Sequence, residues 1–235
     1  MGLMNYFNYF TEIEEYFIRK RAKNLLVSPL DWCLIELWKD SGIPLNVALR
    51  GIDRGFETIA KRGKRPPRSL FYCHPAVLDA FEEHQQAMLG TSATEGGSSD
   101  SSDDATEDEA MPRQQVQLAL ERFLATIEGQ KGESFQRAAQ RLSALLENLK
   151  DAREVGYERV DRELSEIGSA LAENLIGEMG SVELKELRRE VRQETRLYGK
   201  HLEKEMMKRL KANYLHRKVL QSHSLPDFSL FSFSE

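Results

Sequence analysis

The sequence is poor in cysteine, in long apolar runs and in the short motifs that mark catalysis. Two cysteines in 235 residues, Cys33 and Cys73, exclude a disulfide framework and read as reduced packing thiols of a reducing compartment. Cys73 is followed by His74, with His84 ten residues on, but no C-x-x-C or H-x-x-x-H partner completes a four-ligand set, so no metal is expected. No apolar stretch approaches the ~20 residues that span a bilayer, so no membrane partner is expected. The opening MGLMNYFNYFTEIEEYF has no basic segment leading into an apolar core. Gly2 is followed by Tyr6 where a myristoylation motif has Ser or Thr. The expected location is cytoplasmic.

No glycine-rich phosphate loop is present; RGKRPPRS contains Gly-Lys without the Walker spacing. Serine concentrates in a Gly- and acid-rich stretch where no fixed histidine could activate it. The acid pairs Glu14/Glu15 and Glu82/Glu83 fall on polar helix faces, and His201 and His216 stand among lysines and arginines. These absences predict a binding protein, not an enzyme, with no cofactor.

Charge is present but unevenly placed. Residues 1–90 carry twelve bases and eleven acids, residues 91–112 seven acids and no base, and residues 113–235 twenty-one bases and twenty acids; +1, −7 and +1 give the net −5. All the acidity lies in GTSATEGGSSDSSDDATEDEAMP. Such a segment has too little apolar surface to offset the entropy of ordering, so 89–112 reads as a disordered linker. It separates a helical domain at 1–88 from a helical hairpin or bundle at 113–222, followed by an apolar tail at 223–235. A tether this acidic could compete with DNA for basic clusters, in which case deleting 91–111 tightens DNA binding.

The N-terminal domain reads as four helices. The first covers about 5–23, with Tyr6, Phe7, Phe10, Ile13, Phe17 and Ile18 on one stripe. The second opens at SPLDW, where Ser28 caps, Pro29 takes the first helical position and Asp31 meets the positive helix end. It stops at Ser41-Gly42. Pro44 opens the third, whose Leu45, Ala48, Leu49, Ile52, Phe56 and Ile59 point one way. A fourth lies around SLFYCHPAVLDAFEEH. Helix, glycine turn and helix make a helix-turn-helix-like core. The outward face of the third helix mixes Asn46, Arg50, Asp53, Arg54, Glu57 and Lys61, a poor face for reading bases. The better nucleic-acid candidates are Arg19, Lys20, Arg21 and Lys23, and Lys61, Arg62, Lys64, Arg65 and Arg68, which suit phosphates without sequence preference. The competing reading is a solvated loop plus favourable charges at a helix C-terminus.

The run LVSPLDWCLIELWKDSGIPLNVALRGIDRGFETIAKRGKRPPRSLFYCHPAVLDAF resembles the DnaD-type domain of bacterial and phage replication-initiation proteins over about 26–84. The likeness lies in a helix with a tryptophan near its end, a glycine turn, an LNVALRGI helix, a basic loop and RSLFY. It implies contact with DNA or a replication partner. Where the family closes on a Tyr, Ile, Trp spacing, this chain has Tyr72, Val77 and Phe81, with Pro75 between.

The C-terminal region is all-α by the same reading. Val116, Leu120, Phe123, Leu124 and Ile127 mark a helix before EGQKGES. Phe135, Ala138, Leu142, Leu145 and Leu149 follow at coiled-coil spacing, and Val160, Leu164, Ile167, Leu171 and Leu175 continue it. After GEMGS, one long last helix is expected through Leu184, Leu187, Val191, Leu197, Tyr198, Leu202, Met206 and Leu210. An intramolecular hairpin and a dimeric coiled coil both satisfy this pattern, so a homodimer is a candidate.

The tail SHSLPDFSLFSFSE ends on apolar anchors, where free termini are usually polar. Its DFSLF resembles the bacterial sliding-clamp-binding peptide, Gln-Leu-Ser/Asp-Leu-Phe. Ser229, Leu230 and Phe231 agree, Phe228 replaces leucine and Asp227 replaces glutamine. The resemblance implies that Phe228, Ser229, Leu230 and Phe231 dock on a clamp, with Leu230 and Phe231 contributing ~1.5–3 kcal/mol each on full burial. Alternatively the tail packs on its own helices. The two resemblances together lead to the expectation of a non-enzymatic accessory factor of bacterial DNA replication or repair, with DNA and a sliding clamp as partners. The rival is a helical oligomerisation scaffold without DNA contact.

Overall fold

The computed structural model describes residues 6–21, 27–91, 113–151 and 156–230. Of the expected sites, Lys23 and Phe231 lie outside them, as does the expected linker from residue 92 to 112. The fold is all-α: among the described residues there are nine α-helices and two 3-10 turns, with no strand. These are α1 (Tyr6–Arg21), α2 (Pro29–Asp40), α3 (Leu45–Lys61), α4 (His74–Thr91), α5 (Arg113–Glu128), α6 (Glu133–Asp151), α7 (Tyr157–Glu178), α8 (Ser181–Thr195) and α9 (Lys204–Ser222), with 3-10 turns at Leu70–Tyr72 and Arg196–Tyr198.

The helices gather into two compact units. One holds α1 from Asn8, α2, α3, α4 and the segment Gln193–Lys211; the other holds α5, α6, α7, α8 up to Arg192 and the chain from Ala212. The segment Gln193–Lys211, within the hairpin or bundle expected over 113–222, groups with the N-terminal helices. The long last helix expected through Leu184–Leu210 is also broken, between Thr195 and Lys204. The cause is tertiary. Thr195 and Leu202 are buried, Tyr198 stacks on Phe71 at 4.1 Å, and Arg209 pairs with Asp40 at 3.5 Å. These contacts hold the segment within the N-terminal unit, where the helix gives way to the 3-10 turn Arg196–Tyr198 and a further turn closed by His201 N donating to Tyr198 O.

In the N-terminal unit, α2 begins with the capping box the sequence announces. Ser28 Oγ accepts from the Asp31 N–H at 3.1 Å, and the Asp31 carboxylate accepts from the Ser28 N–H. The helix ends on Gly42 at φ +73, with Gly42 N donating to Lys39 O and Ile43 N to Trp38 O. This Schellman end lays buried Ile43 on buried Trp38. Helices α3 and α4 then cross closely. A Cβ on Gly51 would meet the Val77 backbone, and one on Gly55 would meet Cys73 at 2.9 Å. Phe17 of α1 is fully buried edge-on to Phe56 of α3.

The second unit is a bundle of α5, α6 and α7, with α6 packed on both neighbours. The coiled-coil face of α6 (Phe135, Ala138, Leu142, Leu145, Leu149) is buried within the same chain. Arg113 at the start of α5 donates to the carbonyls of Leu149 and Lys150, two of the acceptors that a helix end leaves unpaired. The core is completed by Val219 and Leu220 of α9 and by Leu225, Phe228 and Leu230 of the segment beyond it.

Candidate functional site

The N-terminal unit positions its basic loop through a buried polar hub. Asp31, 1 % exposed, accepts from Ser28 Oγ at 2.8 Å, Ser69 Oγ at 2.5 Å and Leu70 N at 2.8 Å. Burial pushes its carboxyl pKa up, while these hydrogen bonds pull it down. The hub pins Ser69, the residue at which the basic loop ends, to the start of α2. Beside it, Trp38 Nε1 donates to Nδ1 of fully buried His74 at 2.8 Å, which places the His74 proton on Nε2. Burial and neighbouring His201 lower the His74 pKa to about 4, so the ring is neutral at pH 7. Burial pushes the Cys73 thiol up to about 12 and leaves it protonated, unsuited to nucleophilic attack.

Between α3 and Ser69 runs Lys61-Arg62-Gly63-Lys64-Arg65-Pro66-Pro67-Arg68. Helix α3 ends here on a second Schellman turn, with Gly63 at φ +63, Gly63 N donating to Ala60 O and Lys64 N to Ile59 O. Pro67 is buried and anchors the loop from within. Lys61, Arg62, Lys64, Arg65 and Arg68 are all exposed. Lys61 lies 3.8 Å from Glu57. An anchored loop carrying five exposed cations is a fixed positive patch, which is what non-specific phosphate contact requires.

The other predicted cluster has a different environment. Lys20 pairs with Asp53 of α3 at 2.6 Å, and Tyr16 OH donates to the same carboxylate at 2.5 Å. Arg21 is 9 % exposed with its guanidinium over the Phe17 ring, and exposed Arg19 lies over Tyr16. Lys20 and Arg21 thus help hold α1 in place. The outward polar residues of α3 are engaged as well: Arg50 donates to Ala80 O of α4 at 3.0 Å, and Arg54 pairs with Glu83 at 2.8 Å. The second helix of the helix-turn-helix-like core therefore directs these side chains at α1 and α4, not at a groove.

In the other unit, two of the predicted partner-binding residues, Phe228 and Leu230, lie inside, and Ser229 is half-buried. Phe228 stacks on Phe123 of α5 with ring centroids 5.1 Å apart, and it fills the notch left by Gly168 of α7, where any Cβ would collide with it. Asp161 of α7, 3 % exposed, accepts from Ser229 Oγ at 3.1 Å and Leu230 N at 2.8 Å. Leu230 is 1 % exposed, and Asp227 pairs with Arg217 at 3.3 Å. The receptor residues Asp161 and Gly168 carry no sequence mark of this role beyond a glycine inside a helix, which points to a close approach without naming its partner.

Among the described residues no group of His, Cys, Asp and Glu could hold a metal ion, and no helix is long and apolar enough to cross a membrane. The model of a family described as an uncharacterised protein matches residues 8–93, the span from α1 to α4. No curated protein and no solved structure matches the chain.

Proposed function

We propose that this chain is a non-enzymatic accessory factor of bacterial DNA replication or repair that meets nucleic-acid phosphates through the loop Lys61–Arg68. The observation that carries the reading is the row of five exposed cations on an anchored loop. The likeness of 26–84 to the DnaD-type domain supports the replication context. Base reading is no part of it, because Arg50, Asp53 and Arg54 of α3 are engaged within the unit. The test is titration of a labelled duplex with the full chain and with a chain carrying Lys61→Gln, Arg62→Gln, Lys64→Gln, Arg65→Gln and Arg68→Gln. The reading expects binding that is indifferent to duplex sequence and lost in the variant. Equal affinities would remove the loop from the account.

A second reading, a helical scaffold whose tail packs on its own helices, is favoured by the burial of Leu225, Phe228 and Leu230. A sliding clamp can take Phe228, Ser229 and Leu230 only after they leave this core. The clamp therefore belongs to the proposal as a partner of a released tail.

A further inference from the structure

We infer that the groove formed by Phe123, Asp161, Gly168 and Arg217 is a peptide-binding site that the chain fills with its own Leu225–Leu230 strap, and that it accepts the same strap from a second copy. The contacts are those of recognition more than of bulk packing. An aromatic ring enters a notch shaped by a missing Cβ, and one carboxylate accepts both a backbone N–H and a side-chain hydroxyl. A charge pair, Arg217 with Asp227, fixes the direction of entry. Every one of these contacts is made by the strap itself, so a strap from an identical chain presents the same set.

The connection to α9 favours exchange. Helix α9 ends in a third Schellman turn, with Ser224 N donating to Gln221 O and Leu225 N to Leu220 O. The two earlier turns place glycine in the left-handed position; here Ser224 takes it at φ 57. An L-residue in that conformation is strained, and a short strained hinge is the kind of connection through which segments swap. Pro226 follows and favours an extended backbone at Leu225. In an isolated chain the cis strap wins, because tethering gives it an effective concentration on the order of millimolar. Exchange becomes visible when cis pairing is prevented. The inference stands on the strap and its groove whatever the basic loop binds.

Two full-length variants test it. In the first, Asp161→Ala with Gly168→Ala blocks the groove and leaves the strap intact. In the second, Phe228→Ala with Leu230→Ala weakens the strap and leaves the groove open. Each is checked for helical content and run alone and mixed in sedimentation velocity. Exchange predicts a monomer for each alone and a one-to-one dimer in the mixture, abolished when the first chain also carries Phe228→Ala. Folded variants that stay monomeric together would overturn the inference. Should the strap-weakened chain fail to fold, wild-type chains of two isotopic masses, partly unfolded together and refolded at high concentration, decide it by native mass spectrometry. Mixed-mass dimers are then expected, and monomers alone would overturn it.

Discussion

Asp31 is a short polar side chain that does two jobs. Its first, closing the cap of α2, is readable from Ser28-Pro29-x-Asp31, because the partners are three residues apart. Its second, receiving Ser69 Oγ and Leu70 N from 38 and 39 residues away, leaves no local pattern. Asp31→Ala is expected to cost about 2–4 kcal/mol of stability in denaturant unfolding, since it leaves buried donors without an acceptor. Asp31→Asn, which keeps one acceptor oxygen, is expected to cost less. The role of His74 was equally illegible: in the sequence it stands beside Cys73 without partners to complete a ligand set, and nothing there marks it as the acceptor for Trp38. Its folded pKa of about 4 lies below the unfolded value near 6.5. The unfolded chain therefore binds the proton first as pH falls. The stability contributed by neutral His74 is complete above pH 6.5 and is lost between 6.5 and 4, at about 1.4 kcal/mol per pH unit. Unfolding free energies measured across that window should show this slope in the wild type and lack it in His74→Gln.

Helices were the most legible elements. The first three start within a residue or two of where they were expected, because caps, a stop at Ser41-Gly42 and 3.6-residue periodicity agree there. The fourth, expected around 69–84, is instead a 3-10 turn at Leu70–Tyr72 followed by a helix over His74–Thr91. The α8–α9 region misleads for a physical reason. Leu184 to Leu210 keeps a helical period across Thr195–Glu203, so the sequence supports a continuous helix. The break is imposed by contacts with residues far away in the chain, such as Phe71 and Asp40. Helix ends show a related limit. Gly42 and Gly63 advertise left-handed turns, whereas Ser224 occupies the same position with no such sign. Replacing Ser224 with glycine is expected to raise stability by up to about 1 kcal/mol, since the left-handed penalty of an L-residue is removed. A shift in the thermal midpoint measures it, and a lower midpoint would show that the serine is not strained.

Across the whole molecule, the charge map and the fold meet at one place. The composition showed two weakly basic regions flanking an acidic segment, but not which bases are free to act. Folding sorts them: Lys20 and Arg21 serve the packing of α1, Arg50 and Arg54 tie α3 to α4, and the Lys61–Arg68 cations are left facing solvent. The tail shows the reverse sorting, since Phe228 and Leu230, which looked like a partner's ligand, complete the protein's own core. The salt dependence of duplex binding by the full chain tests the central claim most directly. Four to five cations replacing counterions predict a slope of about −4 in log affinity against log salt, or roughly two orders of magnitude lost from about 50 to about 200 mM. The Gln-substituted loop should flatten that slope. Duplex binding with no salt dependence, or with the same slope after loop neutralisation, would contradict the account.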